Sequence, residues 1–470
     1  MFTQMSRIKI TPLVKSAFFY LLASAFGQGI TFAGVLVFTR IMSKQAYGDY
    51  STYYAYVSIF TVLTGGNIYV ALNNAYIDKK DVIHEYRKSA LALSTVVMFV
   101  TATIAITLNT FIYRQFDSFI AILCIVHAYS FFVVTYRTYS SNMENDYKRK
   151  LCLLIFPYAL QFVFAWILVE AFPEYSFELR AAGSCLGIAV CGIWSYVEMM
   201  RCKGKIVNKQ YWDYTSRIAF PSIITSLSGM LIMHCDRIMI THFCGSEETA
   251  VYSALYYMGY IVVAINLAIS PVRQAWLYNK LSSGNKENYK TIQKWYLFIM
   301  LVAGSFLIIL GKEVVMIFLP SNYWEFKYIL PFVLSAFMSI LYGFPTEIIM
   351  YYKRNGILST ITLISALVNI GLNAFCIPRF GAVAACYTTL ASYFLIFLLT
   401  QVLVSRMNVE IYSKKAYVVC LAWMVLMFWG TSLEVKEIYR YITMIIILTV
   451  SILYAYKKRN EIFYIIFNKG

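Results

Sequence analysis

The chain has 470 residues, 60% of them hydrophobic and only 13% charged, against about 25% charged in soluble domains, and its mean hydropathy is +0.64. That balance excludes a water-soluble protein of several domains. The formal charge of +17 could suggest a nucleic-acid partner, but the basic residues sit in short clusters between apolar runs, as membrane topology requires, so no nucleic acid is expected.

A spanning helix needs about 20 mostly apolar residues. The first such run, 17–38, follows Arg7, Lys9 and Lys15 and resembles the start of a signal peptide. It runs on through Phe38, beyond an h-region of roughly 7–15 residues, and no clear cleavage site follows, so it is expected to be retained as a span. Further runs follow at 51–72, 89–112, 117–137, 151–171, 179–199, 218–241, 251–272, 293–311, 328–350, 357–377, 382–404, 416–432 and 439–456. The last two are shorter and are separated by Glu434, Lys436, Glu437 and Arg440. The expectation is an all-α integral membrane protein of about fourteen transmembrane helices. With the N-terminus inside, 30 of the 40 lysines and arginines fall on the cytoplasmic side, 9 fall outside (Arg114 and Lys436 among them), and Arg237 lies within a span. This bias sets the expected orientation, with both termini cytoplasmic.

Catalytic signatures are absent. The sequence contains no G-x-x-x-x-G-K-[ST], no H-E-x-x-H and no G-x-S-x-G. The four histidines have no metal-like spacing, and the ten cysteines include no C-x-x-C and read as small packing residues. No cofactor or metal is expected. The outside connections are too short for the loop or domain that a polymerase or glycosyltransferase acting on exported sugars would need. A chain made almost wholly of spans reads as a transporter rather than an enzyme.

An internal repeat supports this. At an offset of 202, Thr39 meets Thr241, Tyr50 meets Tyr252, Ser51 meets Ser253 and Tyr54 meets Tyr256. A second echo sets Tyr147-Lys148-Arg149 against Tyr352-Lys353-Arg354. Six spans per half give parallel repeats, the plan of transporters that bind substrate between two lobes and rock to alternate access. The expected organisation is 1–212 as the first lobe, 213–408 as the second, and 409–470 as two further spans and a tail.

Three motifs then carry a family resemblance. They are Thr39-Arg40-Ile41 with Tyr47-Gly48-Asp49-Tyr50-Ser51; Asp236-Arg237-Ile238-Met239-Ile240 with Val251-Tyr252-Ser253; and Val368-Asn369-Ile370-Gly371-Leu372-Asn373 with Ile377-Pro378-Arg379-Phe380-Gly381-Ala382. The chain resembles the polysaccharide exporters of the multidrug/oligosaccharidyl-lipid/polysaccharide superfamily, in particular Wzx-type O-antigen flippases. One departure is Cys386-Tyr387-Thr388 where relatives often have a small residue and Ala-Thr. The resemblance implies a flippase that turns a polyprenyl-pyrophosphate-linked oligosaccharide from the cytoplasmic to the periplasmic leaflet of a bacterial inner membrane. It also implies a polysaccharide polymerase and glycosyltransferases as partners. Without an ATPase motif, an ion gradient or removal of product must supply direction. The competing readings are a drug/cation antiporter of the same superfamily, disfavoured because residues 17–38 hold no acidic residue; a lipid II flippase, disfavoured because the first two spans hold no concentration of basic residues beyond Arg40; and a membrane-bound polymerase or glycosyltransferase.

Ionisable residues within spans are functional candidates. Asp236 and Arg237 are adjacent and so point to different sides of their helix; they are either site residues or an inter-helix clamp. Glu347, after Pro345, is an ion-coupling candidate or a wetted group near a span end. Arg40 either lines an outer vestibule or caps a helix. Arg137, Arg273, Lys353 and Arg354 sit at inner ends, where they serve topology or meet a pyrophosphate. Gly183-x-x-x-Gly187 reads as a close helix contact, and prolines 221, 271, 331 and 345 as bend points.

Overall fold

The computed structural model describes residues 12–113, 115–144, 146–259, 261–283, 289–407, 409, 412–432 and 437–459. The expected basic residues Arg7, Lys9, Arg114 and Lys436 lie outside the described residues. Regular structure among the described residues is helical throughout. In chain order the α-helices are α1 Pro12–Ile41, α2 Lys44–Gly65, α3 Tyr69–Asp78, α4 Ile83–Leu108, α5 Ser118–Met143, α6 Tyr147–Ala171, α7 Ser176–Met200, α8 Lys209–Cys244 and α9 Ser246–Gly259. They continue with α10 Ile261–Ser283, α11 Tyr289–Ile309, α12 Gly311–Phe318, α13 Ile329–Tyr351, α14 Asn355–Phe380, α15 Val383–Arg406, α16 Lys414–Ser432 and α17 Glu437–Lys457.

Helix starts follow local chemistry. Each helix leaves its first N–H groups without intrahelical acceptors, and short polar side chains supply them. Ser43 accepts from the Ala46 N–H at 3.2 Å to open α2. Asp117 accepts from Ile120 at 2.8 Å to open α5, and Asp146 from Arg149 at 3.1 Å to open α6.

Among the described residues, eleven helices are long and apolar enough to cross a bilayer, and a bent pair makes a twelfth. The expected figure of fourteen is not confirmed. Two expected spans stand outside this set. They are the 30-residue α1, whose side chains are described only from Phe26 on, and α16, which is 19 residues long with Lys414 and Lys415 at its start. The expected second span, 51–72, is a broken helix over Lys44–Asp78. Gly66 (φ 56°) and Asn67 (φ 54°) take the left-handed conformation between α2 and α3, and the Asn67 amide donates to Ser222 at 2.7 Å and Ser226 at 2.9 Å. The expected eighth span, 251–272, is also broken: α9 meets the start of α10 at 47°. The expected seventh span, 218–241, lengthens to the 36 residues of α8, which runs through Pro221.

The chain divides into two compact units: Met1–Ala250 with Thr362–Ile370, and Val251–Ile361 with Gly371–Gly470. In the first, Tyr53, Val57, Ile120, Cys124, Ala128 and Ala181 form an apolar centre between α2, α5 and α7. Gly183 and Gly187 bring α7 against the backbone of α6. A Cβ on Gly187 would stand 2.3 Å from the Gln161 nitrogen, and one on Gly183 2.6 Å from Ala165. In the second unit α13 is the central helix, with Phe332, Val333, Phe337, Leu341 and Ile348 all buried. Outward apolar side chains cover the rest; Ile445, Ile446, Ile452 and Leu453 of α17 are more than half exposed, a face suited to lipid and not to water. All ten cysteines are free thiols.

Candidate functional site

The two intramembrane candidates of the second unit, Arg273 and Glu347, form one site. α10 brings Arg273 and α13 brings Glu347, 74 residues apart, into a bidentate pair with Nη1–Oε2 and Nη2–Oε1 both 2.7 Å. Both are more than nine-tenths buried. Aromatic rings wall the guanidinium: its carbon lies 4.2 Å from the Phe344 ring centre and 4.9 Å from that of Tyr296. Planar fork and planar carboxylate match, which lets two parallel hydrogen bonds form at once. Tyr296 in turn donates to Asn266. A cavity of about 10 Å³, room for one water, adjoins the pair and is lined by Arg273, Trp276, Gln293, Phe344 and Tyr412 among others.

In the first unit Arg137 does not stand open to a ligand. It is 1% exposed and bridges two carboxylates, Glu144 at 3.0 Å and Glu198 at 3.1 Å. Arg87 also pairs with Glu144, and Arg149 reaches Glu198 at 3.0 Å. Three arginines and two glutamates from α4, α5, α6 and α7, with Glu144 at the end of α5, thus form a clamp at one end of the unit. Burial disfavours the charge of Glu144, but the Arg87 and Arg137 guanidiniums outweigh this and hold its carboxyl below the usual carboxylate range. Because its folded pKa lies below the unfolded one, its contribution is complete above the unfolded pKa and vanishes as pH falls through the folded one. Acid titration of purified protein is therefore expected to lower its melting temperature, and Glu144→Gln to remove part of that slope. An unchanged slope in the variant contradicts the assignment.

Asp236 and Arg237 are both buried in α8, and Arg237 donates to the Met233 carbonyl at 2.8 Å. Nearby, Tyr54 stands between the buried imidazole of His127, 6.3 Å away, and the half-buried one of His234, 6.5 Å away, and Tyr53 hydrogen-bonds His127 Nδ1 at 3.1 Å. Arg40 is exposed at the end of α1 and donates to its own helix at Leu36, 2.6 Å away. Lys353 is exposed in the turn after α13, with φ of 56°. The structure thus joins Arg273 to Glu347 and leaves Arg40, Arg137 and Lys353 at separate places. Sequence reasoning missed Arg87, Glu144 and Glu198, and also Arg180. The Arg180 side chain is buried among Phe38, Tyr47 and Tyr50, 3.7 Å from the Tyr50 ring centre. That aromatic setting has no sequence signature.

Many apolar helices around a few buried charges define the class: a multi-pass membrane protein. The chain belongs to the family described as polysaccharide biosynthesis protein, which matches residues 13–278. That bears out the resemblance to polysaccharide exporters. An uncharacterized membrane protein of Haemophilus influenzae is 24% identical over 179 residues, which cover 36% of this chain and 44% of that protein, so the match spans less than half of the relative. Among solved structures, the lipid II flippase MurJ in an inward closed conformation superposes with a TM-score of 0.71 at 14% identity, covering 95% of this chain and 99% of that one. A transporter of the MOP superfamily from Pyrococcus furiosus gives 0.57 at 12% identity, covering 84% and 97%. An inward-facing multidrug resistance transporter of the MATE family gives 0.59 at 12%, covering 83% and 99%. The fold is therefore the one these three structures share.

Proposed function

We propose that this protein is a flippase that carries a polyprenyl-pyrophosphate-linked oligosaccharide from the cytoplasmic to the periplasmic leaflet of a bacterial inner membrane, by alternating access. The observation that carries this reading is length. The drug exporter accounts for 83% of the chain, whereas the lipid-carrier flippase accounts for 95%, in a chain whose family is named for polysaccharide synthesis. The physical need is plain: sugars and pyrophosphate cross hydrocarbon only at prohibitive cost unless a polar path is supplied.

In this reading the repeat units are of the O-antigen or capsule kind. The termini are cytoplasmic, and the lobes correspond to 1–212 and 213–408. A polymerase and glycosyltransferases act beside it. Glu347, with Arg273, is the favoured coupling site, since a buried carboxylate can exchange its arginine for a proton or cation as the protein changes state. Asp236 is the second coupling candidate; Arg40, Arg237 and Lys353 remain candidates for the anionic substrate. The two carboxylates held by Arg137 favour a clamp for that residue.

The test is deletion of the gene in its native bacterium, with Arg40→Ala, Arg237→Ala and Glu347→Gln in complementation. The expected result is build-up of undecaprenyl-linked repeat units on the cytoplasmic side and loss of surface polysaccharide. Intact surface polysaccharide with altered resistance to cationic drugs instead supports the antiporter reading.

A further inference from the structure

The turn that joins α7 to α8 in the first unit gathers Arg201, Lys203, Lys205 and Lys209 into the segment 201–209, which holds no acidic residue. All four are exposed, and none of their side chains has a hydrogen-bond or ion-pair partner among the described residues. Other arginines of this unit are matched. Arg87, Arg137 and Arg149 share Glu144 and Glu198, and Arg217 meets Asp213 at 2.8 Å. Four like charges on one short segment repel one another, and an anion placed among them relieves that repulsion.

The backbone of the segment is tied down. The Lys88 ammonium donates to the Cys202 carbonyl at 2.9 Å, and the Asn208 N–H donates to Ser89 at 3.1 Å. Asn208 in turn caps α8, accepting from the Gln210 N–H at 3.0 Å. Gly204, with φ of 121°, lies against Glu85, where a Cβ would stand 2.3 Å from that side chain. These ties leave the four basic side chains unengaged. They also hold two aliphatic side chains outward, for Ile206 is 54% and Val207 56% exposed. An apolar pair set among unmatched cations suits the boundary of a bilayer, where acyl chains and phosphates lie side by side. The start of α8 fixes the depth. Trp212 and Tyr214 follow the segment, ring types that gather at membrane–water interfaces, and the exposed Phe220 and Ile224 come after them. The turn therefore stands on the water side of an aromatic belt, at the level of the headgroups.

We propose that the segment 201–209 is a docking surface for anionic lipid headgroups. Arg201, Lys203, Lys205 and Lys209 meet the phosphates, and Ile206 and Val207 enter the acyl boundary beside them. Basic groups near an anionic leaflet each add to such binding. The acidic side chains closest along the chain are engaged elsewhere: Glu198 with Arg137, Asp213 with Arg217, and Glu85 with the Lys205 N–H at 3.4 Å. The inference does not depend on the flippase reading. It ties the protein's stability to the composition of the leaflet, whatever its cargo.

Full-length protein is placed in phosphatidylcholine nanodiscs with and without phosphatidylglycerol, its melting temperature is measured, and bound lipids are counted by native mass spectrometry. Phosphatidylglycerol should raise the melting temperature of the wild type, since a ligand that binds the folded state alone stabilises it. Lys203→Gln/Lys205→Gln/Lys209→Gln should lose at least half of that rise and retain several-fold fewer phosphatidylglycerol molecules, whereas arginine at the same three positions should keep both. Lys312→Gln/Lys327→Gln/Arg379→Gln removes equal charge from exposed positions elsewhere and should also keep the rise. All of these side chains are exposed, so equal melting temperatures in pure phosphatidylcholine certify the fold. A glutamine variant at 203, 205 and 209 that keeps the full rise overturns the site, and so does a control variant that loses as much. A rise reproduced by inorganic phosphate in phosphatidylcholine overturns the assignment to a lipid. Absence of any rise in the wild type overturns it too, and leaves an acidic protein as the partner to seek.

Discussion

Glu347→Ala is expected to destabilise the protein by about 3–5 kcal/mol, because it strands the Arg273 guanidinium in a site built for a carboxylate. The two 2.7 Å hydrogen bonds vanish, and the remaining wall is Phe344 and Tyr296. Ring faces attract a cation by only about 0.5–2 kcal/mol, too little to offset removal of a full counter-charge. Arg273→Ala should cost a similar amount from the other side. The double replacement Arg273→Met/Glu347→Leu should recover most of the loss, since a buried ion pair exchanged for apolar side chains of like volume is often neutral or better. Unfolding in detergent of the wild type, Arg273→Met, Glu347→Leu and the double variant that combines them closes a double-mutant cycle, and a coupling energy below about 0.5 kcal/mol would refute the bidentate pair as a unit. The same set separates structure from transport. A stable double variant that fails to restore surface polysaccharide assigns the pair to the transport cycle. One that restores it makes the pair a structural rivet.

Arg273 and Glu347 also show how far a sequence can be read. Each stands out as an ionisable group near a span end, and each is a candidate on that ground alone. Nothing in the sequence couples residues 74 positions apart, so their union is visible only after α10 and α13 pack. Arg137 illustrates the opposite problem. Topology accounts for a basic residue at an inner span end, and so its two glutamate partners pass unnoticed. Hydropathy places the helices because lipid exposure demands apolar runs, and Gly183 with Gly187 marks the tight contact of α6 and α7 because small residues are needed there. Breaks are harder. Gly65-Gly66-Asn67 is a turn signal, but an apolar window averages across it, and the left-handed residues Gly66 and Asn67 that divide α2 from α3 disappear into one span.

Gly48→Ala is expected to be among the most damaging single-methyl changes available in this chain. A Cβ there would stand 1.8 Å from the Ser246 carbonyl oxygen and 2.6 Å from its carbon, and both atoms are backbone. No rotamer relieves such a clash, so α2 must move from the corner between α8 and α9. That corner is held to α2 by more than shape. Ser246 donates to Asp49, and Thr52 meets Thr241 at 2.5 Å, which in turn meets Thr249 at 2.7 Å. Displacing α2 breaks these bonds together, so the loss should exceed the roughly 1–3 kcal/mol usual for overpacking. The internal repeat explains why the position is singular. Gly48 corresponds to Ala250 at the offset of 202, and the first copy of the motif packs directly on the segment that leads into the second, so only the first copy must lack a side chain. Gly229→Ala is the control, since no atom lies within 4 Å of its Cβ and alanine favours a helix interior by about 1 kcal/mol. Melting temperatures in detergent should fall sharply for Gly48→Ala and hold or rise for Gly229→Ala. Equal behaviour of the two would mean that the α8–α9 corner does not rest on α2.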